Sequence, residues 1–209
     1  MKPLFSKIAL AVFAAAALPG IAMAESDVNT GTGTPLTASA RVDFRITVPK
    51  VVYLRVGTGA NLADDTTVNL IDFTVPAANV GDSTVVAATA GSGDLGNGVV
   101  TARLIGNNGT ITFTSTTAGA LGNGAGDTIS YGQISTAAAV LTSAAALPAP
   151  ALADGATTST TVAPNVGAKV VNRDARWTYT YLNQNVAPAG TYGGVNTNNG
   201  RVTYTASMP

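Results

Sequence analysis

The residue types that most often carry enzyme chemistry are absent from this chain or scattered along it. Its 209 residues include no histidine and no cysteine. That removes Ser-His-Asp and Cys-His nucleophilic machinery, histidine metal sites and thiolate zinc sites. Acid–base chemistry would have to come from Glu25 and the aspartates. Asp64 and Asp65 are the adjacent pair, in a polar run (NLADDTT) that reads as a solvated turn. Nothing there predicts the separation of carboxyl pKa values that acid–base catalysis requires. The expectation is a protein that is not an enzyme, with no catalytic residue, no cofactor and no metal.

Four further motifs have ordinary explanations. Gly122 to Ile129 (GNGAGDTI) approaches the pattern of a calcium-binding β-roll repeat, but Gly126 abuts Asp127 and the pattern is not in tandem, so a loop is expected. Gly91-Ser92-Gly93-Asp94 reads the same way. Asn108-Gly109-Thr110 matches a glycosylation pattern, yet Asn-Gly between two apolar runs is a turn signal. Trp177, Tyr179 and Tyr181 could make an aromatic platform for a sugar. They share a parity with Ala175, so one sheet face carries all of them, and core packing is the expected use of such large rings.

The elements that would hold these residues are strands. Ala38, Ala40, Val42, Phe44, Ile46 and Val48 alternate with Ser39, Arg41, Asp43, Arg45 and Thr47, the period-2 mark of a half-buried strand. Pro49 ends it. Val51 to Val56 is a second strand. Val68 to Val75 is a third, with a bulge expected near Leu70-Ile71 where the apolar parity changes. Val99 to Ile105 and Thr110 to Thr114 are predicted to form a hairpin around Gly106-Asn107-Asn108-Gly109. Thr128 to Ile134 is a short strand. Residues 135–165, rich in Ala, Thr and Pro, are predicted to make a long surface excursion, with an Ala-rich helix over 135–146 as an alternative. Ala175 to Tyr181 and Val202 to Met208 are the last strands, with a turn at Pro188-Ala189-Gly190 and a loop at 193–200. Short strands punctuated by Gly, Asn and Pro predict an all-β antiparallel β-sandwich, with a β-barrel as the alternative. The predicted core is Val42, Phe44, Ile46, Leu54, Phe73, Phe113, Trp177, Tyr179, Val202 and Tyr204.

Residues 1–24 read as a secretory signal peptide. Lys2 and Lys7 precede the apolar run Ile8 to Leu18, and Ala22-Met23-Ala24 supplies a small-x-small cleavage pattern. The run is shorter than the roughly 20 residues that span a bilayer, so no membrane span is expected after its removal. The chain is expected to be exported, to the periplasm or the cell surface. Glu25 to Thr37 is a polar flexible leader, and 38–209 a single domain. Basic and acidic residues balance at 11 each and charged residues are 11% of the chain, a poor match to a nucleic-acid or anionic-membrane partner. Arg41, Arg45 and Arg55 are expected to be solvated.

Two stretches resemble exported proteobacterial proteins: ARVDFRITVPKVVYLRVG (Ala40 to Gly57), and PAGTY followed by GRVTYTASMP (Pro188 to Pro209). The ending is similar to fimbrial-subunit and spore-coat-U-like domains. That resemblance implies an immunoglobulin-like sandwich completed by a strand from the next subunit, with the chain itself, related subunits and a periplasmic chaperone as partners. Met208 stands where such subunits often carry an aromatic. Glu25 to Thr37 lacks their alternating donor arm, so Ala38 to Val48 would have to serve, with Val42, Phe44, Ile46 and Val48 as the exchanged or packed side chains. The short link to Val51–Val56 favours pairing within its own sheet. The expected function is a pilin-like or adhesion-related structural subunit, non-catalytic. The alternative is a monomeric carbohydrate- or surface-binding module, and the weakest is a hydrolase using aspartates.

Overall fold

A computed structural model describes residues 26–209; the signal peptide expected over 1–24 lies outside the described residues. Two units are distinguished, one ending at Val48 and a compact one running from Pro49 to Pro209. The compact unit therefore begins after the alternating segment, not at residue 38. It contains ten strands: β1 (Val52–Val56), β2 (Val86–Ala87), β3 (Val99–Gly106), β4 (Ile111–Thr117), β5 (Leu121–Gly122), β6 (Thr128–Ile129), β7 (Ile134–Ala139), β8 (Thr157–Val162), β9 (Val171–Tyr181) and β10 (Val202–Ser207). All pairings are antiparallel.

The strands form a two-layer all-β sandwich with no closed barrel. In the first sheet, β9 pairs with β3 on one edge and with β7 on the other, and β1 adds to β3. Both β2 and β7 meet Thr180 and Tyr181, so β2 continues the edge that β3 occupies lower on β9. The second sheet has the order β10-β4-β8, and β5 and β6 make a separate small ribbon. The core between the layers is built by alternation: Val100, Ala102 and Leu104 from β3, Val171, Ala175, Trp177 and Tyr179 from β9, Ile111 and Phe113 from β4, and Val162 from β8. The Trp177 ring stacks on Phe113 at 5.8 Å and meets Tyr204 at 5.4 Å, which ties the two layers through their largest side chains.

Several expectations need correction. The predicted hairpin is an arch. β3 and β4 follow one another through Asn107-Asn108-Gly109, but they enter different sheets. The turn chemistry is as expected, with Gly109 at φ +109°. At the corner, a Cβ on Gly106 would come 2.6 Å from Ile111 Cδ1, so glycine there allows the core to close across the bend. Residues 135–165 are neither a plain excursion nor a helix, for β7 and β8 lie within them. Threonine-rich β8 suits a strand because β-branched side chains fit a pleated surface. Its threonines bond across to β4, Thr157 to Thr116 at 2.8 Å and Thr158 to Ser115 at 2.9 Å.

The stretch between β7 and β8 is sewn onto β9. The Trp177 indole N–H donates to the Leu147 carbonyl (2.8 Å), and Leu147 N–H donates to Asp174 O (3.0 Å). The Asp174 carboxylate accepts the Thr142 and Ser143 N–H groups, each at 2.8 Å, and the Thr142 hydroxyl. Burial pushes this carboxyl up, but those donors outweigh it and hold it down at about 2.

The expected bulge at Leu70-Ile71 does not form. From Asn69 to Val75 one parity holds, with Asn69, Ile71, Phe73 and Val75 half-buried and Leu70, Asp72 and Thr74 exposed. This stretch is extended but joins no ladder. Gly93 N–H donates to Leu70 O (3.2 Å) and Thr89 N–H to Asp72 O (2.8 Å), so its bonds go to the 89–93 loop.

In the other unit, residues 26–48 form no helix or strand. Asn29 donates to Thr37 O (3.2 Å) and Ser39 N–H to the Asp27 carboxylate (3.1 Å). Val42, Phe44, Ile46 and Val48 are 74%, 90%, 86% and 72% exposed. The predicted half-buried strand, and three members of the predicted core, are therefore at the surface. Alternation gives a segment the capacity to bury one face, but a ladder also needs a partner edge, and residues 26–48 contain none.

Candidate functional site

The compact unit carries a groove of about 970 Å³ with a mainly apolar lining. One wall is β10. Its partner β4 occupies a single edge, and its opposite edge carries no ladder among the described residues. Val202 and Tyr204 face inward from this strand, while Thr203 and Thr205 face out. The other wall is the extended stretch 69–75. Because Leu70 O and Asp72 N–H and O bond toward the 89–93 loop, the intervening Ile71 and Phe73 backbone groups point the opposite way, and no hydrogen bond among the described residues occupies them. Two open backbone edges thus flank an apolar floor made by Leu54, Val56 and Val100.

Aromatic groups close one end. Phe73 meets Tyr181 at 6.3 Å. The Tyr179 and Tyr204 hydroxyls share a hydrogen bond of 2.9 Å, and Tyr131 donates to Asn199 O at 2.7 Å. Burial pushes the Tyr204 and Tyr131 phenols up to about 12, and Tyr179 well above its ordinary value. All three are therefore neutral hydrogen-bonding groups near neutral pH, unsuited to proton transfer there.

The opposite end is fixed by a polar cluster. Asn107 accepts from Val51 N–H (2.9 Å) and donates to Pro49 O (2.7 Å). Lys50 Nζ and the Asn108 amide both donate to Pro209 O, at 3.0 and 2.6 Å. The start of the compact unit is thereby held at the same end as the finish of β10.

The residues singled out from sequence fall into two groups. Trp177 is fully buried, and Tyr179 and Tyr181 are buried beside it; their rings serve the core and the groove floor rather than a solvent-facing platform. Val42, Phe44, Ile46 and Val48 lie outside the compact unit. Asp64 and Asp65 are exposed, and Asp65 accepts from Thr67 N–H at 2.7 Å, a bond that lowers its pKa. In the 122–129 loop, Asn123 Oδ1 accepts from Ala125 and Asp127 N–H groups, a turn held by its own side chain. No cluster of metal-ligating residues occurs among the described residues, and no helix there is long and apolar enough to cross a membrane. Residues 69–75 and the open β10 edge were not singled out by sequence reasoning. The signal that could have found them is the apolar alternation of Ile71, Phe73 and Val75 and of Val202 and Tyr204.

Compared with protein-family models, curated proteins and solved structures, the chain matches none.

Proposed function

We propose that this chain is an exported, non-catalytic structural subunit of the cell surface that joins to a second copy of itself by strand addition. Residues 38–48 of one copy lie along β10 of the next and fill its groove. The observation that carries this reading is a coincidence within one chain. It holds an open apolar groove beside an unpaired strand edge, and a segment outside the compact unit with exposed apolar side chains at every second position. Main-chain bonds to β10 supply affinity, and Val42, Phe44, Ile46 and Val48 supply the apolar complement.

The position of Pro49 favours exchange between copies. Pro49 sits at the finishing end of β10, so a chain's own segment could enter its groove only parallel to that strand. Antiparallel entry would place Val48 at the far end of the 6-residue strand, about 20 Å from its neighbour Pro49 at ~3.3 Å per residue. A second copy has no such restriction, and antiparallel pairing is the more stable arrangement per residue.

Crosslinking tests the proposal. In the Phe44→Cys/Val202→Cys double variant, oxidation should give interchain products whose size grows with protein concentration. Exclusively intrachain products over the whole concentration range would overturn the exchange between copies.

A further inference from the structure

The sheet β10-β4-β8 has a second open margin, at β8. The register with β4 fixes which of its backbone groups are free. Thr117 N–H donates to Ala156 O (3.2 Å) just before β8 begins. The residues in step with Ala156, which are Thr158, Thr160 and Val162, therefore direct their N–H and C=O groups at β4. Those of Thr157, Ser159 and Thr161 point the other way, and no hydrogen bond among the described residues occupies them. Open edges are commonly blunted by lysine, proline, a bulge or an inward charge. β8 carries none of these. It is uncharged, its register with β4 is unbroken, and Thr157, Ser159 and Thr161 are exposed. The run Thr157-Thr158-Ser159-Thr160-Thr161 also reads the same in both directions.

We propose that β8 is a two-fold contact between copies of this chain, in which the two β8 edges pair antiparallel about Ser159. In that register Ser159 faces Ser159 of the second copy, and Thr157 faces Thr161 of the second copy. These are hydrogen-bonded pairs that use the free groups on both edges. Thr158 and Thr160 face one another between them, on the half-buried side. An odd slip sets residues with free groups against residues whose groups point at β4. An even slip carries Thr157 or Thr161 past the end of the facing strand. The contact is isologous, and threonine pairs across strands favour it. It lies at the margin of the sheet opposite β10, so it does not compete with strand addition there. Addition at β10 joins copies in series, and pairing at β8 ties them side by side.

The chain has no cysteine, so introduced thiols report this contact in the full chain. Cα atoms of a hydrogen-bonded pair lie about 5.5 Å apart, within the roughly 4.4–6.8 Å that a disulfide spans. The Ser159→Cys chain should oxidise to a covalent dimer about tenfold faster than the Thr157→Cys chain, whose two thiols are held too far apart to bridge. Their separation along the strands is about 13 Å, at ~3.3 Å per residue. An equal mixture of Thr157→Cys and Thr161→Cys chains should crosslink as fast as Ser159→Cys. Equal rates for Ser159→Cys and Thr157→Cys, or no covalent dimer from Ser159→Cys, would overturn the contact. Failure of the mixture to crosslink would overturn the register about Ser159. Each of these results leaves strand addition standing, because the Phe44→Cys/Val202→Cys variant reads the β10 contact separately.

Discussion

The Ala175–Tyr181 part of strand β9 and residues 38–48 carry equally clean period-2 patterns and end in opposite states. β9 is paired along both edges, and its inward face, Val171, Ala175, Trp177 and Tyr179, is the centre of the core. Residues 38–48 have no ladder, and their apolar face lies open to solvent. The two differ in their surroundings: β9 is drawn into a sheet by long flanking strands on both sides, whereas 38–48 stands beyond the boundary at Pro49. Alternation reports that a face can be buried and is silent on which chain buries it.

The largest expected effect lies on the β9 side. Trp177→Ala removes a fully buried ring that packs on Phe113 and Tyr204, and should lower unfolding free energy by about 3–5 kcal/mol in denaturant titration. A loss below about 1 kcal/mol would mean that β9 is no more committed to its core than 38–48 is.

Acid should act next, through Asp174 on the same strand. Its folded pKa, about 2, lies below the ordinary carboxylate value. The stabilisation is therefore complete above about pH 4 and is lost as pH falls through about 2. The size is on the order of 2 kcal/mol, and Asp174→Asn should flatten that part of the stability–pH curve.

Alkali probes the link between the layers. Tyr179 and Tyr204 have raised pKa values because burial favours their neutral forms, so the Tyr204 contribution is present below about pH 10 and is lost as pH rises through about 12. Tyr204→Phe, which keeps the ring and removes the shared hydroxyl bond, should cost about 1 kcal/mol near neutrality.

The smallest effect on stability belongs to the open segment. Phe44→Ala should change the melting free energy of the monomer by less than about 0.5 kcal/mol while weakening association in concentration-dependent light scattering. A loss of several kcal/mol in the monomer would place Phe44 in its own core and dissolve the contrast with β9.

The sandwich was legible because β9 and β10 bury one face each, and a half-buried strand writes that directly into alternation. Asn107-Asn108-Gly109 was legible as a reversal of the chain but not as an arch, since turn residues set local dihedral angles and do not say whether the flanking strands remain in one sheet. β7 and β8 were hidden because alanine and threonine give little contrast between their two faces. Of the candidate site, only the 38–48 segment could be read from sequence. The groove required Asn69–Val75 and Val202–Ser207, far apart along the chain, to be set facing one another by the fold.

The clamp at Asn107 has a mechanical consequence. Tension applied through residues 38–48 enters the sandwich at Pro49, just before β1 begins at Val52. Val52–Val56 is paired antiparallel with Ala102–Gly106, so its inter-strand bonds lie perpendicular to the strand and across any pull directed along it. They are loaded together, in shear, and cannot be peeled one at a time. The two Asn107 bonds and the Lys50–Pro209 contact take part of the same load. A pull on the segment is thus shared between the first strand of the sandwich and the end of its last, and copies joined in series would bear stretching at the place where each chain begins its fold.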